Sequence, residues 1–319
     1  MNGGHLNESS RPSSNKHVGL TLVVGYLLLY SVTLLGMNRA WHFEAIGPVF
    51  ILGILGIGFS LSAWLLTIRT SPLPYAVVHP GKELVVLIAY LLPLAAYITW
   101  GSPFIRRHFP ADPGDSVAVL AGKVLFFVFI PAWIMHIFFG YGFRDLAPVA
   151  FRLRDIPAFL GMSALVLGFQ AIAGRGLRDT LQAHPPAATL AIGVPIVFVW
   201  LALEAGVVEE FFFRVLLQSR LSRAVRSELG GIVLMSLLFG LAHAPGLYLR
   251  TGLTQEGLPP QPPFLMALGY SIVITSVAGF FLGVLWARTR NFLLVVLIHA
   301  MADLLPDLLP TMHSLQLLH

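Results

Sequence analysis

The sequence predicts an all-α, polytopic transmembrane helical bundle of about eight to nine spans, and three observations lead to it. The 319 residues are 56% hydrophobic and 11% charged, with mean hydropathy +0.80, whereas soluble domains sit near ~45–50% apolar and ~25% charged. The apolar residues are gathered into runs of the length a span requires, roughly 20 residues to cross about 30 Å of hydrocarbon at about 1.5 Å per residue. Between them lie only short linkers with proline and glycine punctuation, such as SPLPYAVVHPGK, FPADPGD, QAHPP and LPPQPP at 258–263, which leave no room for a soluble domain. Lipid cannot satisfy an open backbone, so runs of this length cross as helices.

Residues 1–17, MNGGHLNESSRPSSNKH, form a polar N-terminal tail. No small-residue cleavage site follows the first apolar run, which therefore reads as a retained helix. The runs are Val18–Gly36, Ile46–Ile68, Leu84–Trp100, Ser116–Gly140, Ile156–Ala173, Ala187–Leu217, Gly230–Leu249, Phe264–Ala287 and Asn291–Leu309. Ile156–Ala173 is short enough to be re-entrant or interfacial instead of spanning. Residues 18–180 thus hold N-terminal transmembrane helices, 187–310 a second group carrying the unusual charges, and 311–319 a C-terminal tail. With the N-terminus inside, Arg11, Lys16, Arg69, Lys82, Arg144, Arg152, Arg154, Arg214, Arg220, Arg223, Arg226, Arg288 and Arg290 fall on the cytoplasmic side, and only Arg39, Arg106, Arg107, Arg175, Arg178 and Arg250 outside. The positive-inside rule then orients the chain N-in and C-out in a membrane, expected from the texture of the sequence to be a bacterial inner membrane.

The net charge of +5 is spread between apolar runs, which excludes a nucleic-acid patch and leaves membrane lipids as the general partner. Absence of cysteine removes thiolate catalysis and cysteine-based zinc sites. The informative residues are charges inside apolar runs, since each costs about 2.5–3.5 kcal/mol at a helix centre. They are Lys123, His136, Glu204, Glu209, Glu210, Arg214, His243, His299 and Asp303. Lys123 is expected to snorkel to the interface, and His136 to be a satisfied packing histidine. Glu204 is open between a supporting role behind a site and a cavity-facing contact. Five of the rest cluster as VVEEFFFRVLL and VVLIHAMADLL, and the sixth lies in LLFGLAHAPG. Glu210 and Arg214 are i, i+4 and share a face, whereas Glu209 points about 100° away and is free for chemistry. His299 and Asp303 repeat the i, i+4 spacing, which lets a carboxyl orient an imidazole.

These residues resemble the CPBP family of intramembrane proteases, which includes the CAAX prenyl endopeptidases and bacteriocin-processing and immunity proteins. The family pattern is EExxxR, then FxxxH, then HxxxN or HxxxD on successive membrane helices. Here it reads Glu209, Glu210 and Arg214; Phe239 and His243; His299 and Asp303. The resemblance covers roughly residues 187–310, and implies hydrolysis of a peptide bond in a membrane-associated protein or peptide. The residue chemistry agrees with it, because amide hydrolysis needs an activated water, an oxyanion stabiliser and a proton for the leaving amine. Glu209 is the expected base, with His243 holding the same water as the matching family position implies, and His299 with Asp303 facing the carbonyl oxygen. Aspartate departs from the asparagine common at the last position: an ionised carboxylate cannot donate to an oxyanion, so Asp303 is either protonated or acts by orienting His299. No cofactor is expected and no metal ligand is assigned. A zinc-dependent protease using the same residues is the nearest alternative, although HExxH is missing. A proton-coupled transporter or a non-catalytic scaffold or immunity protein are the readings from other classes. No internal repeat supports the transporter.

Overall fold

The computed structural model describes residues 15–109, 113–150, 152–249 and 257–318, so positions 1–14 of the polar tail, with Arg11, and Arg250 of the charge count lie outside the described residues. Among the described residues nine helical segments are long and apolar enough to cross a membrane, and no strand occurs. The chain is an integral membrane protein, an all-α bundle of α1 (Lys16–Trp41), α2 (Ile46–Leu66), α3 (Pro80–His108), α4 (Gly114–Phe139), α5 (Leu153–Ala173), the short α6 (Gly176–Ala183), α7 (Ala187–Ala224), α8 (Glu228–Leu249), α9 (Phe264–Thr289) and α10 (Phe292–Ser314). Ile156–Ala173 belongs to one of the spanning-length helices. It lies along α10, where Gln170 Nε2 donates to the Ala302 carbonyl at 2.9 Å.

Several helices outrun their apolar stretches, among them α3, α7 and α10. The N-terminal end of α3 extends back to Pro80 because Glu83 accepts from the backbone N–H of His79 at 2.6 Å and of Val78 at 3.2 Å, satisfying donors that a helix start leaves open. The polar end of α7, Ser219–Ala224, stays helical with Ser219, Arg220 and Ser222 buried. At the other end of the chain α10 continues to Ser314, past position 310.

Buried residues make up 67% of the apolar window of α9 and 50% of that of α10, against 11% for α2. The last helices are therefore the centre, and the early ones form much of the lipid-facing wall. Close packing of α8 on α9 depends on small residues, because a side chain at Gly279 would meet the Ser236 Cα at 2.8 Å. Backbone and side-chain bonds gather one end of the bundle: Asn15 N–H to the Arg226 carbonyl, Leu73 N–H to Thr289, and Phe292 N–H to Pro148, with the ion pairs Arg290–Glu228 and Arg152–Asp155. Most of the cations in the larger group of the charge count cluster at this basic end. Arg214 does not, since it is fully buried within α7.

Lys123 forms an ion pair with Glu204 of α7, a partner that the sequence alone does not give it, and this is the contact Glu204 makes. Both side chains remain about a quarter exposed (23% and 25%). His136 is a satisfied histidine, its Nδ1–H donating to the Tyr141 carbonyl at 2.9 Å. Removing one member of the Lys123–Glu204 pair leaves a charge in apolar surroundings. Lys123→Met is therefore expected to lower stability by about 1–3 kcal/mol, and the double change Lys123→Met with Glu204→Met to recover most of it. Thermal unfolding in detergent checks this, and equal losses in the single and double variants would contradict it.

Candidate active site

The helix that carries the two glutamates is not a uniform α-helix. It widens to π geometry at Ala202–Val207 and again at Phe211–Gln218, with the single α turn Val208–Glu210 between. Widened turns of this kind re-aim side chains, and they also occur in α2, α3, α4 and α9. Gly206 lets this part of α7 approach α10 closely, since a Cβ there would lie 2.9 Å from the Val296 carbonyl oxygen. That approach brings the Glu210 carboxylate of α7 within hydrogen-bond reach of His299.

Glu210 is the hub. Its Oε1 lies 2.7 Å from His299 Nδ1, and its Oε2 lies 3.2 Å from Arg214 Nε. Glu210 and Arg214 are both fully buried, so the pair exists only because each neutralises the other in low dielectric. On its other ring nitrogen His299 meets Asp303 Oδ2 at 3.2 Å and Glu209 Oε2 at 4.0 Å. Glu210 and Asp303 each lie within hydrogen-bond distance of one ring nitrogen, so both nitrogens act as donors when those two acids are ionised. The Glu209 and Asp303 side chains are 20% and 32% exposed, which makes them the carboxylates an incoming molecule can reach. Among the described residues Glu209 makes no hydrogen bond.

Five of the six expected residues, Glu209, Glu210, Arg214, His299 and Asp303, thus form one connected cluster. His243 stands one ring away. Its Nδ1–H donates to the Phe239 carbonyl at 2.8 Å, one turn back on α8, which leaves Nε2 as the free acceptor. Phe239 fills the gap: its ring centroid lies 4.7 Å from that of His243, 6.4 Å from that of His299 and 4.8 Å from the Arg214 guanidinium carbon. The guanidinium over a ring face gains a cation–π contact where its terminal nitrogens have no hydrogen-bond partner among the described residues.

Residues 191–305 match the family model described as Rce1-like, type II CAAX prenyl endopeptidase. This segment, little more than a third of the chain, is similar to the core of the CPBP-family proteases. No curated protein and no solved structure matches the chain.

All six residues lie inside the matched segment, and α1–α6 precede it. The core's charged cluster, and not cavity size, marks the site: an apolar groove of about 550 Å³ lined by Leu125, Phe129, Trp133 and His136 among others is bordered by none of the six. Among the described residues no group of three or more histidine, aspartate or glutamate side chains is disposed to hold a metal ion, and both nitrogens of His299 are already engaged. Phe239, named by the FxxxH pattern but not counted among the six, packs between His243, His299 and Arg214. The Glu210–Arg214 pair yields a prediction. Arg214→Ala leaves Glu210 unpaired in apolar surroundings and is expected to lower stability by about 3–5 kcal/mol. Chemical or thermal unfolding in detergent reads the loss, and wild-type stability would remove the pairing from the account of the core.

Proposed function

We propose that the chain is an intramembrane endopeptidase that hydrolyses a peptide bond of a membrane-associated protein or peptide with a water activated by Glu209. The observation that carries this is the state of Glu209: a reachable carboxylate without a hydrogen bond, 4.0 Å from an imidazole whose other partners are tied down. Glu209 takes a proton from water, and the water oxygen bonds to the scissile carbonyl carbon as the carbonyl π pair moves to oxygen. Collapse of this tetrahedral intermediate re-forms the carbonyl and breaks the C–N bond, while the proton held by Glu209 passes to the leaving nitrogen.

His243 has Nε2 free because Nδ1–H is committed to the Phe239 carbonyl, so it accepts a hydrogen bond from the same water and fixes its direction of attack. His299 supplies positive charge toward the developing oxyanion, as preorganised donors do. Asp303, 3.2 Å from Nε2 of His299, acts by orienting that ring. Glu210 and Arg214 hold the scaffold and touch no substrate. The family description supports a substrate of CAAX type, in which a prenylated cysteine precedes a short C-terminal tail. By the positive-inside rule the basic end of the bundle faces the cytoplasm, placing the N-terminus there.

Glu209→Gln removes the proton acceptor with almost no change of shape, and is expected to lower cleavage about 10²–10⁴-fold. The assay is release of a fluorescent tail from a prenylated CAAX peptide by purified protein in nanodiscs, beside the same peptide without its prenyl group. A Gln variant as active as wild type would remove Glu209 from its role. Turnover is also expected to survive a strong chelator. Loss on chelation with recovery on adding zinc would replace the glutamate-activated water by a metal-bound one.

A further inference from the structure

Arg220 lies six residues beyond Arg214 on α7, is 1% exposed, and reaches in two directions. Its Nε donates to Glu83 Oε2 at 2.8 Å, and its Nη1 donates to the Val215 carbonyl at 3.0 Å. Glu83 is fully buried and divides its oxygens. Oε2 takes Arg220, while Oε1 takes the Tyr141 hydroxyl at 2.7 Å and the backbone N–H groups of His79 and Val78. The Tyr141 ring in turn lies 5.3 Å from the Arg220 guanidinium carbon. Burial pushes the Tyr141 phenol up, and its bond to Glu83 pushes it further in the same direction, so the hydroxyl stays a donor.

Beside Arg220, Ser219 Oγ donates to the Arg214 carbonyl at 3.2 Å and accepts from Trp286 Nε1–H at 3.0 Å. Two consecutive carbonyls of the π-helical stretch Phe211–Gln218, those of Arg214 and Val215, are thus each held by a side chain five residues on. A widened turn has weaker internal restraint than an α turn, and the residue whose aim it sets is the one paired with Glu210. The groups that anchor Arg220 come from α3 and from the turn after α4, both outside the segment matched by the protease family.

We propose that Glu83, Tyr141 and Arg220 are positioning residues: a clamp through which the N-terminal helices fix the π-helical stretch of α7, and with it the aim of Arg214 at Glu210 and, through Glu210, the setting of His299. Its effect on turnover rests on the protease reading; its effect on His299 does not. An error of ångström size in a site of this kind costs rate without costing binding.

The test uses full-length protein in nanodiscs. Glu83→Gln alone leaves Arg220 without its charge partner and is prone to misfold, so the main variant is Glu83→Gln with Arg220→Met, which removes the clamp without stranding a charge. Tyr141→Phe, which deletes one donor, is the fallback if that pair fails to fold. Two readouts are taken: kcat and KM on the prenylated reporter peptide, and the ¹⁵N resonances of the His299 ring, assigned with His299→Gln. The double variant is expected to keep KM within about twofold, to lose about tenfold or more in kcat, and to shift His299 Nδ1. Arg220→Lys, which keeps a charge for Glu83 but not the fork that also holds Val215, is expected to fall between. A folded variant with unmoved His299 resonances, or with wild-type kcat, overturns the clamp. If wild-type protein cleaves no reporter, the protease reading fails and the His299 resonances still decide the clamp.

Discussion

The 2.7 Å contact between Glu210 and His299 ties α7 to α10 in the middle of the bundle, and the other features of the core are conditions for it. A fully buried carboxylate needs a cation, which Arg214 supplies from the next turn. A buried guanidinium needs something against its flat faces, which Phe239 supplies from α8. The helices must lie close enough for the contact to form, which Gly206 permits. With Glu210 committed, its neighbour Glu209 makes no hydrogen bond among the described residues and is partly exposed. Adjacent identical residues thereby sit in opposite settings, one buried in an ion pair and the other within reach of an incoming molecule.

The position of these groups in the chain explains why the last helices are central. His299 lies seven residues into α10, about 10 Å from its start at 1.5 Å per residue. A charged cluster at that depth is tolerable only behind a wall of helices, and α1–α5 form much of that wall with exposed leucines, valines and phenylalanines on their outer faces. The wall is also pinned to the core by charges: Lys123 of α4 to Glu204 of α7, and Glu83 of α3 to Arg220 of α7.

Much of this was legible in the sequence, because apolar run length and misplaced charge are local signals. The nine segments follow from the runs, and the pairing of Glu210 with Arg214 and of His299 with Asp303 follows from i, i+4 spacing alone. What was hidden was long-range. Lys123 reads as a snorkelling lysine until a helix 81 residues away in sequence brings Glu204 beside it. Glu83 lies one residue before the run that begins at Leu84 and was not singled out, since nothing in Lys82–Glu83–Leu84 announces a buried bond to Arg220. The bond from Glu210 to His299 was equally invisible: both were singled out, yet the sequence joined Glu210 only to Arg214 and His299 only to Asp303. Helix termini erred for a related reason, as charged residues that are buried by tertiary contacts look like the ends of spans.

The division of labour between the two glutamates is open to one direct measurement that needs no substrate: thermal unfolding midpoints of Glu209→Gln and Glu210→Gln, compared with wild type in the same detergent. If Glu210 is the buried hub and Glu209 the free carboxylate, the Glu210 variant unfolds several degrees lower while the Glu209 variant melts with the wild type. Equal midpoints for the two variants, or the larger loss at Glu209, would contradict it.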